Sequence, residues 1–315
     1  MNPADNSTQA DAAHPRTARI TVLGSTNMDL VAYAPVAPER GETVTGHTFR
    51  TVPGGKGANQ AVAAARAGGA VSLIGAVGED DFGGGLRAVL AESGVATERL
   101  RTVRGPSGTA HIVVDDAGEN SIVVVPGANG TVTSLVDGDE ETIAASGALL
   151  LQLELPCAAV LDGARAGRRN GVRTVLTPAP AQPLPDELLD VIDLLVPNEH
   201  EAATLTGRPD AHAAALALLD AVPEVVVTLG SRGCLHARRG AEPVLVPAYP
   251  TRAVDTTAAG DTFVGALAVA LGEGVPTRRA LSWAQAASAL SVRSAGASSS
   301  MPVRADIDAL VAASG

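Results

Sequence analysis

Aromatic residues are scarce in this sequence: three Phe, two Tyr and one Trp make up 2% of 315 residues. So few rings argue against a surface of stacked aromatic side chains, which is the usual platform for single-stranded nucleic acid. Positive charge is also in deficit, because 23 Lys and Arg face 34 Asp and Glu, for a net charge of −11. That balance argues against binding to nucleic acid or to anionic lipid, although one small anion site is compatible with it.

Cysteines and long apolar runs are also in short supply. The two cysteines, Cys157 and Cys234, lie far apart in the sequence, so neither a disulfide framework nor a zinc site is indicated, and we expect a cytoplasmic protein. No stretch reaches the roughly 18 uncharged apolar residues of a membrane span. Residues 1–17 are polar and lack the pattern of a signal peptide, and we expect them to be a disordered tail.

Short apolar runs alternate with longer segments of helical period along the rest of the chain. This alternation predicts an α/β fold, a doubly wound and mostly parallel sheet in three α/β/α layers, as one domain over residues 18–315. The predicted strands are 19–24, 71–77, 148–153, 172–177, 192–196 and 225–229. The predicted helices are 58–67, 83–93, 158–170, 199–206, 211–221, 261–271 and 278–294.

Two segments, at about 33–51 and 109–126, interrupt the alternation with strand–turn–strand patterns. We expect them to pair into a small sheet that projects from the main domain as a lid. The alternative is that they are edge strands of the main sheet. Because exposed edges of a small sheet pair readily with a second copy, we also predict a homodimer joined through the lid strands.

Polar residues follow several predicted strands where each strand ends. They are Asn27, Asp29, Gln152, Glu154, Asn198, Glu201, Thr228, Gly230 and Ser231. Ligands of open α/β sheets bind beyond the carboxyl ends of the strands, so these residues are candidates for one shared site. Any single one of them could instead cap a helix or close a turn.

The segment 53–60, PGGKGANQ, holds Lys56, which is the only lysine in the chain. Its glycines would let backbone N–H groups approach a polar ligand closely. The segment is not a Walker A loop, and the chain has no dinucleotide fingerprint after the first strand. An oxidoreductase of the dinucleotide-binding class is therefore disfavoured.

A second motif, DTTAAGDTF at residues 255–263, leads into an apolar helix. The small residues Ala258, Ala259 and Gly260 would expose N–H groups at the helix start, which suits an anion whose charge grows during a reaction. Asp261 falls in the first helical turn, where an ionised carboxylate could accept a proton from a hydroxyl group. The alternative role for Asp261 is helix capping, which leaves the second acid, Asp255, unexplained.

Both motifs, in the forms GGKGANQAVAAARAG from Gly54 and AVDTTAAGDTFVGAL from Ala253, carry a resemblance to a known family. The chain resembles the ribokinase family of carbohydrate kinases from about residue 20 to 310, a span that includes GSTNMD, GETVTG, LLLQLELP, LVPNEHEA and VTLGSRG. The resemblance implies ATP-dependent phosphorylation of D-ribose at its 5-hydroxyl. The alternatives are a kinase for another sugar or a nucleoside, or a non-catalytic sugar-binding regulator on the same scaffold.

The resemblance also implies roles for individual residues. Asp261 would be the general base, and Ala258, Ala259 and Gly260 would form the anion hole for the transferred phosphate. Positions that match the sugar site are Asn27, Met28, Asp29, Gly55, Lys56, Gly57, Ala58, Asn59, Glu154 and Asp261. Positions that match the ATP site are Asn198, Thr228, Leu229, Gly230, Ser231, Arg232, Gly233, Gly260 and Gln285.

Two cations are implied in the same way. Glu201, in the sequence Asn198 to Glu201, would organise Mg²⁺ through water, and a monovalent cation, expected to be K⁺, would bind near the anion hole. Positions that match the monovalent site are Asp255, Thr257, Ser291, Ser294, Gly296 and Ser300. Met28 and Ser294 depart from the pattern that is usual in the family.

Overall fold

The computed structural model describes residues 17–314, so residues 1–16 of the predicted tail lie outside the described residues. The strands are β1 (Arg19–Leu23), β2 (Asn27–Tyr33), β3 (Thr48–Gly54), β4 (Ala70–Gly78), β5 (Val95–Ala96), β6 (Leu100–Val103), β7 (Gly108–Val114), β8 (Asn120–Val125), β9 (Ala148–Leu151), β10 (Arg173–Leu176), β11 (Leu194–Leu195), β12 (Glu224–Thr228), β13 (Cys234–Arg238) and β14 (Val244–Val246). The helices are α1 (Lys56–Arg66), α2 (Asp81–Glu92), α3 (Asp139–Ala144), α4 (Cys157–Arg169), α5 (Asp186–Leu189), α6 (Glu199–Thr206), α7 (Ala211–Leu218), α8 (Ala259–Gly272), α9 (Thr277–Ser291) and α10 (Arg304–Ala313).

The main sheet has the strand order β14-β13-β12-β11-β10-β9-β1-β4-β5, and β6 also pairs with β4. The strands from β12 to β4 are parallel to their neighbours, whereas β13 and β14 run antiparallel at one edge. All six predicted strands are present, which confirms the mostly parallel sheet. Four strands were not predicted: β5, β6, β13 and β14. They lie towards the margins of the sheet, where a strand does not need the long run of buried apolar residues by which the central strands were predicted.

The sheet separates two hydrophobic cores, one on each face. In β9, Ala148 and Leu150 enter one core, while Leu149 and Leu151 enter the other, because successive side chains of a strand point to opposite faces. Helices α1, α2, α8, α9 and α10 contribute to the first core, and α3 to α7 contribute to the second. The predicted three layers are therefore confirmed.

A separate four-stranded sheet has the order β3-β2-β7-β8. The second predicted segment, 109–126, corresponds to the hairpin of β7 and β8. The first predicted segment began too late, because β2 starts at Asn27 and pairs with β3 across the intervening residues 34–47. Only Gly24, Ser25 and Thr26 separate β1 from β2, so the sequence gives little sign of the boundary. These strands form a small sheet of their own and not edges of the main one.

The predicted helices are present, with ends that shift by a few residues. Helix α7 ends at Leu218 and α9 at Ser291, each three residues before the predicted end. Helices α3, α5 and α10 were not predicted, and the first two are short. No helix within residues 17–314 has both the length and the apolar character needed to cross a bilayer.

Candidate active site

A cavity of about 180 Å³ lies where α8 begins, next to the carboxyl ends of β10, β11 and β12. It brings together predicted residues from four separate segments of the chain. Its lining is Lys56, Thr177, Ala179, Val196, Asn198, Glu201, Thr228, Thr256, Ala258, Ala259, Gly260, Asp261 and Val264. The predicted base, the residues of the predicted anion hole, the only lysine and three residues of the predicted nucleotide site, one of them Gly260 of the anion hole, therefore surround one space.

Asp261 occupies the first turn of α8 and is 8% exposed. Its Oδ1 accepts a hydrogen bond from Gln60 Nε2 at 3.0 Å, and its Oδ2 accepts one from Asn59 Nδ2 at 3.3 Å. Its side chain does not cap α8, whose N-cap residue is Ala258 without a side-chain bond. Burial raises the pKa of Asp261, and Lys56 and the two amides offset this only in part. The Asp261 carboxylate is thus positioned by side chains of the neighbouring helix α1 and not by groups of its own helix, α8.

The turn before α8 is left-handed at Ala258, where φ is 58°. Such a conformation is costly for a residue with a side chain and is found mostly at functional sites. The Ala259 N–H donates to the Thr256 carbonyl at 3.2 Å, and the Thr262 N–H donates to the Ala258 carbonyl at 2.9 Å. The N–H group of Ala259, one residue of the predicted anion hole, therefore already donates to a backbone carbonyl in this conformation. The N–H groups of the first helical turn otherwise lack partners within the helix and suit an anion.

Glu154 follows β9 and joins the glycine-rich turn to the end of β1. Its Oε2 accepts hydrogen bonds from Ser25 Oγ at 2.5 Å, from the Lys56 N–H at 3.0 Å and from Asn27 Nδ2 at 3.4 Å. Gly55, with φ 92°, allows the turn to come this close. The polar residues that follow β1 and β9 thus meet, as expected for one sheet edge.

Two further charged groups lie on the same side. Burial, reinforced by the charge of Glu154, raises the pKa of Asp29 on β2 to about 7. Burial lowers the pKa of Lys56, but the carboxylates of Asp261 and Glu154 outweigh this effect and raise it above the ordinary value. Lys56 is therefore a permanent cation between carboxylates, which suits contact with an anionic group.

The predicted nucleotide residues cluster around the end of β12. Thr228 forms an isolated parallel bridge with Asn198, and its N–H donates to the Pro197 carbonyl at 2.9 Å. Gly230–Arg232 is a single 3-10 turn, and Gly233 closes it with φ 105°. Buried Gln285 on α9 reaches the thiol of Cys234, just after that turn.

Some predicted residues have a second, structural role. Glu201 forms a capping box with Asn198, in which each side chain accepts a hydrogen bond at 2.8 Å from the other's backbone N–H. Met28 and Leu229 are buried in the hydrophobic cores. Ala58 packs in the core beside α8, and a Cβ at Gly57 would lie 2.5 Å from the Ser25 nitrogen. These positions shape the site through packing.

Asp255 ties together the two loops that hold most of the predicted monovalent-cation residues. Its Oδ1 accepts from the Thr257 N–H at 2.9 Å and its Oδ2 from the Gly296 N–H at 2.9 Å. Burial tends to raise the pKa of Asp255, but these bonds outweigh it and lower the pKa. The hydroxyls of Ser291 and Ser300 bond locally to carbonyls, and Ser294 is exposed.

Sequence reasoning missed several residues of the site. Gln60 is in the quoted glycine-rich motif but was not assigned a role, and it contacts Asp261 directly. Asn129 donates to Asn27 Oδ1 at 2.7 Å across 102 residues of sequence, and no local pattern signals that contact.

Within residues 17–314, no group of three or more His, Cys, Asp or Glu is arranged to hold a metal ion.

Residues 17–304 match the family model described as pfkB family carbohydrate kinase. The chain belongs to this family of carbohydrate kinases. Similar proteins are the ribokinase of Bacillus subtilis, 44% identical over 93% of this chain and 99% of that protein, and the ribokinase of Haemophilus influenzae, 43% identical over 90% of this chain and 95% of that protein. Among solved structures, Arabidopsis thaliana ribokinase complexed with ribose and ATP has a TM-score of 0.88 at 36% identity, covering 94% of this chain and 99% of that one. The resemblance seen in the sequence is therefore confirmed.

Proposed function

We propose that this carbohydrate kinase transfers the γ-phosphate of ATP to the 5-hydroxyl of D-ribose. The observation that supports this best is the shared cavity, in which Asp261, the start of α8 and Lys56 face one another. The similarity to ribokinases, including one solved with ribose and ATP, supports the choice of substrate.

In the proposed reaction, Asp261 takes the proton of the 5-hydroxyl. The hydroxyl oxygen forms a bond to the γ-phosphorus while the bond to the β–γ bridging oxygen breaks, and ADP leaves. Phosphoryl transfer needs mainly positioning and charge stabilisation. The N–H groups at the start of α8 and the Lys56 ammonium supply that stabilisation, whereas Glu154, Asn27 and Asp29 bind and orient the sugar hydroxyls.

The residues present also fit the proposed cations. Mg²⁺ shields phosphate charge and prefers oxygen ligands with several waters, and the Glu201 carboxylate lines the cavity where it would organise such waters. For K⁺, Asp255 joins the loops at residues 255–257 and 296 through backbone hydrogen bonds. That arrangement orders a loop whose carbonyls would bind the ion, together with positions such as Ser291 and Ser300.

The alternative acceptor is another sugar or a nucleoside. The start of α8 would face only the reacting hydroxyl and the phosphate, and these groups are common to all such acceptors. A nucleoside site needs an apolar or aromatic wall for the base. The sequence has only three Phe, two Tyr and one Trp, and none of them is among the positions that match the sugar site, which favours a sugar.

An acceptor panel tests the proposal. ADP release from MgATP would be measured with D-ribose, 2-deoxyribose, fructose, adenosine and cytidine, each with and without K⁺. We expect turnover at the lowest concentration with D-ribose, raised by K⁺. Preference for another acceptor would contradict ribose as substrate, and silence with every acceptor would favour a non-catalytic regulator.

A homodimer is part of the same proposal. Every residue of β8 is exposed, and Ile122 to Val125 present a run of apolar side chains there. Exposed apolar edge strands are usually covered by a partner. We propose that a second copy of this chain covers β8, and that the enzyme acts in the cytoplasm.

A further inference from the structure

Two buried glutamine side chains connect Asp261 to the middle of the main sheet. Gln60 lies on α1 and is 0% exposed, and Gln152, directly after β9, is 1% exposed. Gln60 Nε2 donates to Asp261 Oδ1 at 3.0 Å, and Gln152 Nε2 donates to Gln60 Oε1 at 2.6 Å. Neither glutamine lines the cavity, and both are more deeply buried than Asp261 itself.

Chemistry fixes the direction of this chain of hydrogen bonds. An ionised carboxylate only accepts hydrogen bonds, so the amide nitrogen of Gln60 has to face Asp261. The Gln60 oxygen then points to Gln152, where an N–H donor is required and is present. The Gln60 nitrogen also lies 3.2 Å from Thr177 Oγ1, which lines the cavity. The N–H donor of Gln152 therefore supports the orientation of Gln60 that Asp261 requires.

Two glycines of the surrounding backbone leave room for the two glutamine side chains. A Cβ at Gly24, at the end of β1, would overlap Gln152 Oε1 and lie 2.6 Å from the Gly57 Cα. A Cβ at Gly265 on α8 would lie 2.7 Å from the Gln60 carbonyl oxygen. Glycine at these two positions lets α1 pack close enough to α8 and to β1 for both amides to fit.

We propose that Gln60 and Gln152 are positioning residues, which hold the Asp261 carboxylate in the orientation that accepts the hydroxyl proton. The catalytic part of this inference rests on the proposed function, whereas the contacts do not depend on it. The charged groups that surround Asp261 are Lys56 on α1, Glu154 after β9, Asp29 on β2 and Glu201 on α6. A hydrogen bond from Gln60 favours the ionised form, and so acts with Lys56 against burial and the other carboxylates.

Gln60→Met tests the inference, since it keeps the length of the side chain and removes the amide. Loss of a hydrogen bond to a charged group corresponds to about one pH unit. We expect the acid limb of the kcat–pH profile to move up by about one pH unit, so that kcat at pH values below that limb falls by roughly ten-fold. The KM values for sugar and ATP should change much less, because the substitution acts on the base and leaves the groups that we propose bind the sugar and ATP unchanged.

Gln152→Met provides a second variant one residue further from the base. It frees the Gln60 amide to rotate, so a smaller shift of the acid limb in the same direction is expected. In the Gln60→Met background it should add no further shift, because its effect passes through Gln60. If Gln60→Met does not fold, Gln152→Met decides the question by the same measurements.

Thr174→Val is the matched control. Thr174 on β10 is 0% exposed and hydrogen-bonds to Val191 and Asp193, on a part of the sheet away from Asp261. We expect it to lower the unfolding midpoint without moving the acid limb. A Gln60→Met variant that behaved like this control would overturn the inference.

Unfolding by denaturant at pH 5 and pH 8 tests the contact without any turnover. A carboxyl group whose pKa is higher in the folded state binds more protons there, so stability falls as pH rises towards that pKa. Gln60→Met should therefore lose more stability relative to wild type at pH 8 than at pH 5. This pH dependence should disappear in an Asp261→Asn background, and its persistence there would contradict the inference. If the wild type phosphorylates no acceptor but the pH dependence is present, the proposed function fails and the contact stands.

Discussion

At the residue scale, the site gathers several buried carboxyl groups around one ammonium group. Asp29, Glu154, Glu201 and Asp261 all act electrostatically on Lys56. Burial raises the pKa of Asp29, Glu201 and Asp261, since each carboxylate gives up hydration. Such raised values are typical of functional sites and connect ligand binding to pH.

Asp29 gives the first prediction. Its pKa of about 7 means that it is mainly protonated at pH 6 and mainly ionised at pH 8. Hydroxyl groups donate more strongly to a carboxylate than to a carboxylic acid. The affinity for D-ribose should therefore rise by up to about ten-fold from pH 6 to pH 8, as measured by isothermal titration. In Asp29→Asn this rise should be absent, and an equal rise in that variant would remove Asp29 as its source.

Glu154→Gln gives the second prediction. Glu154 Oε2 accepts three hydrogen bonds within the site, and an amide at this position would turn an N–H group towards a donor or towards the sugar. We expect the apparent affinity for ribose to fall by at least about ten-fold, while the KM for ATP stays close to the wild-type value. Ribose titrations and initial rates measure the two effects. An unchanged ribose affinity would exclude Glu154 from the sugar pocket.

At this scale the sequence predicts local structure best where one short motif contains it. The segment 255–263 predicts a helix start with Asp261 in the first turn, as α8 has it, because both features belong to one local pattern. The contacts of Asn129 with Asn27, and of Gln152 with Gln60, span about a hundred residues. They depend on how the strands are ordered, which no local pattern contains.

At the element scale, the site depends on the close packing of α1 against α8. These helices carry Gln60 and Asp261, the two ends of a 3.0 Å hydrogen bond. Gly265 makes the approach feasible, because a Cβ there would lie 2.6 Å from the Ala63 Cβ and 2.7 Å from the Gln60 carbonyl oxygen.

Gly265→Ala should therefore push the two helices apart. We expect a loss of about 1–3 kcal/mol in the free energy of unfolding, as is typical of overpacked sites, and a fall in kcat. Gly84→Ala on α2 is the matched control, since a Cβ there meets nothing within 4 Å. Gly84→Ala should raise the free energy of unfolding by up to about 1 kcal/mol, because alanine is more favourable than glycine in a helix interior. Denaturant titrations measure the free energy of unfolding of both variants. An equal change in the two would contradict the role of Gly265.

Element boundaries were predictable where the hydrophobic period changes sharply. Helix α6 was predicted to its end residues, and in the structure a capping box of Asn198 and Glu201 begins it and left-handed Gly207 follows its last residue. Strand β2 was placed too late, because Leu30 and Val31 follow β1 after a very short turn. The pairing of β2 with β7 in a second sheet is a tertiary choice that local periodicity does not encode.

At the scale of the whole molecule, two cores enclose the main sheet, while the second sheet leaves β8 uncovered. Ile122, Val123, Val124 and Val125 are each 44% exposed or more, and Phe49 on β3 is 62% exposed. A monomer would leave this apolar area in water, which costs free energy in proportion to its size. The exposed run supports assembly through the second sheet.

Ile122→Asp tests that assembly. We expect light scattering at micromolar protein to give a dimer for the wild type and a monomer for the variant, since a charge at the interface opposes association. Leu216→Asp is the control, because Leu216 is an exposed apolar residue on α7, 43% exposed, outside the second sheet. A wild-type monomer, or a dimer that survives Ile122→Asp, would contradict the proposed interface.

The role of Asp261 as general base is tested by comparing Asp261→Asn with the wild type in one assay of ribose-dependent ADP formation, with ribose and ATP affinities measured in parallel. Asparagine preserves the size of the side chain and removes its ability to take a proton. We expect kcat to fall by about 10²-fold or more while both affinities stay near the wild-type values. Near-normal turnover in Asp261→Asn would contradict the assignment of Asp261 as the general base.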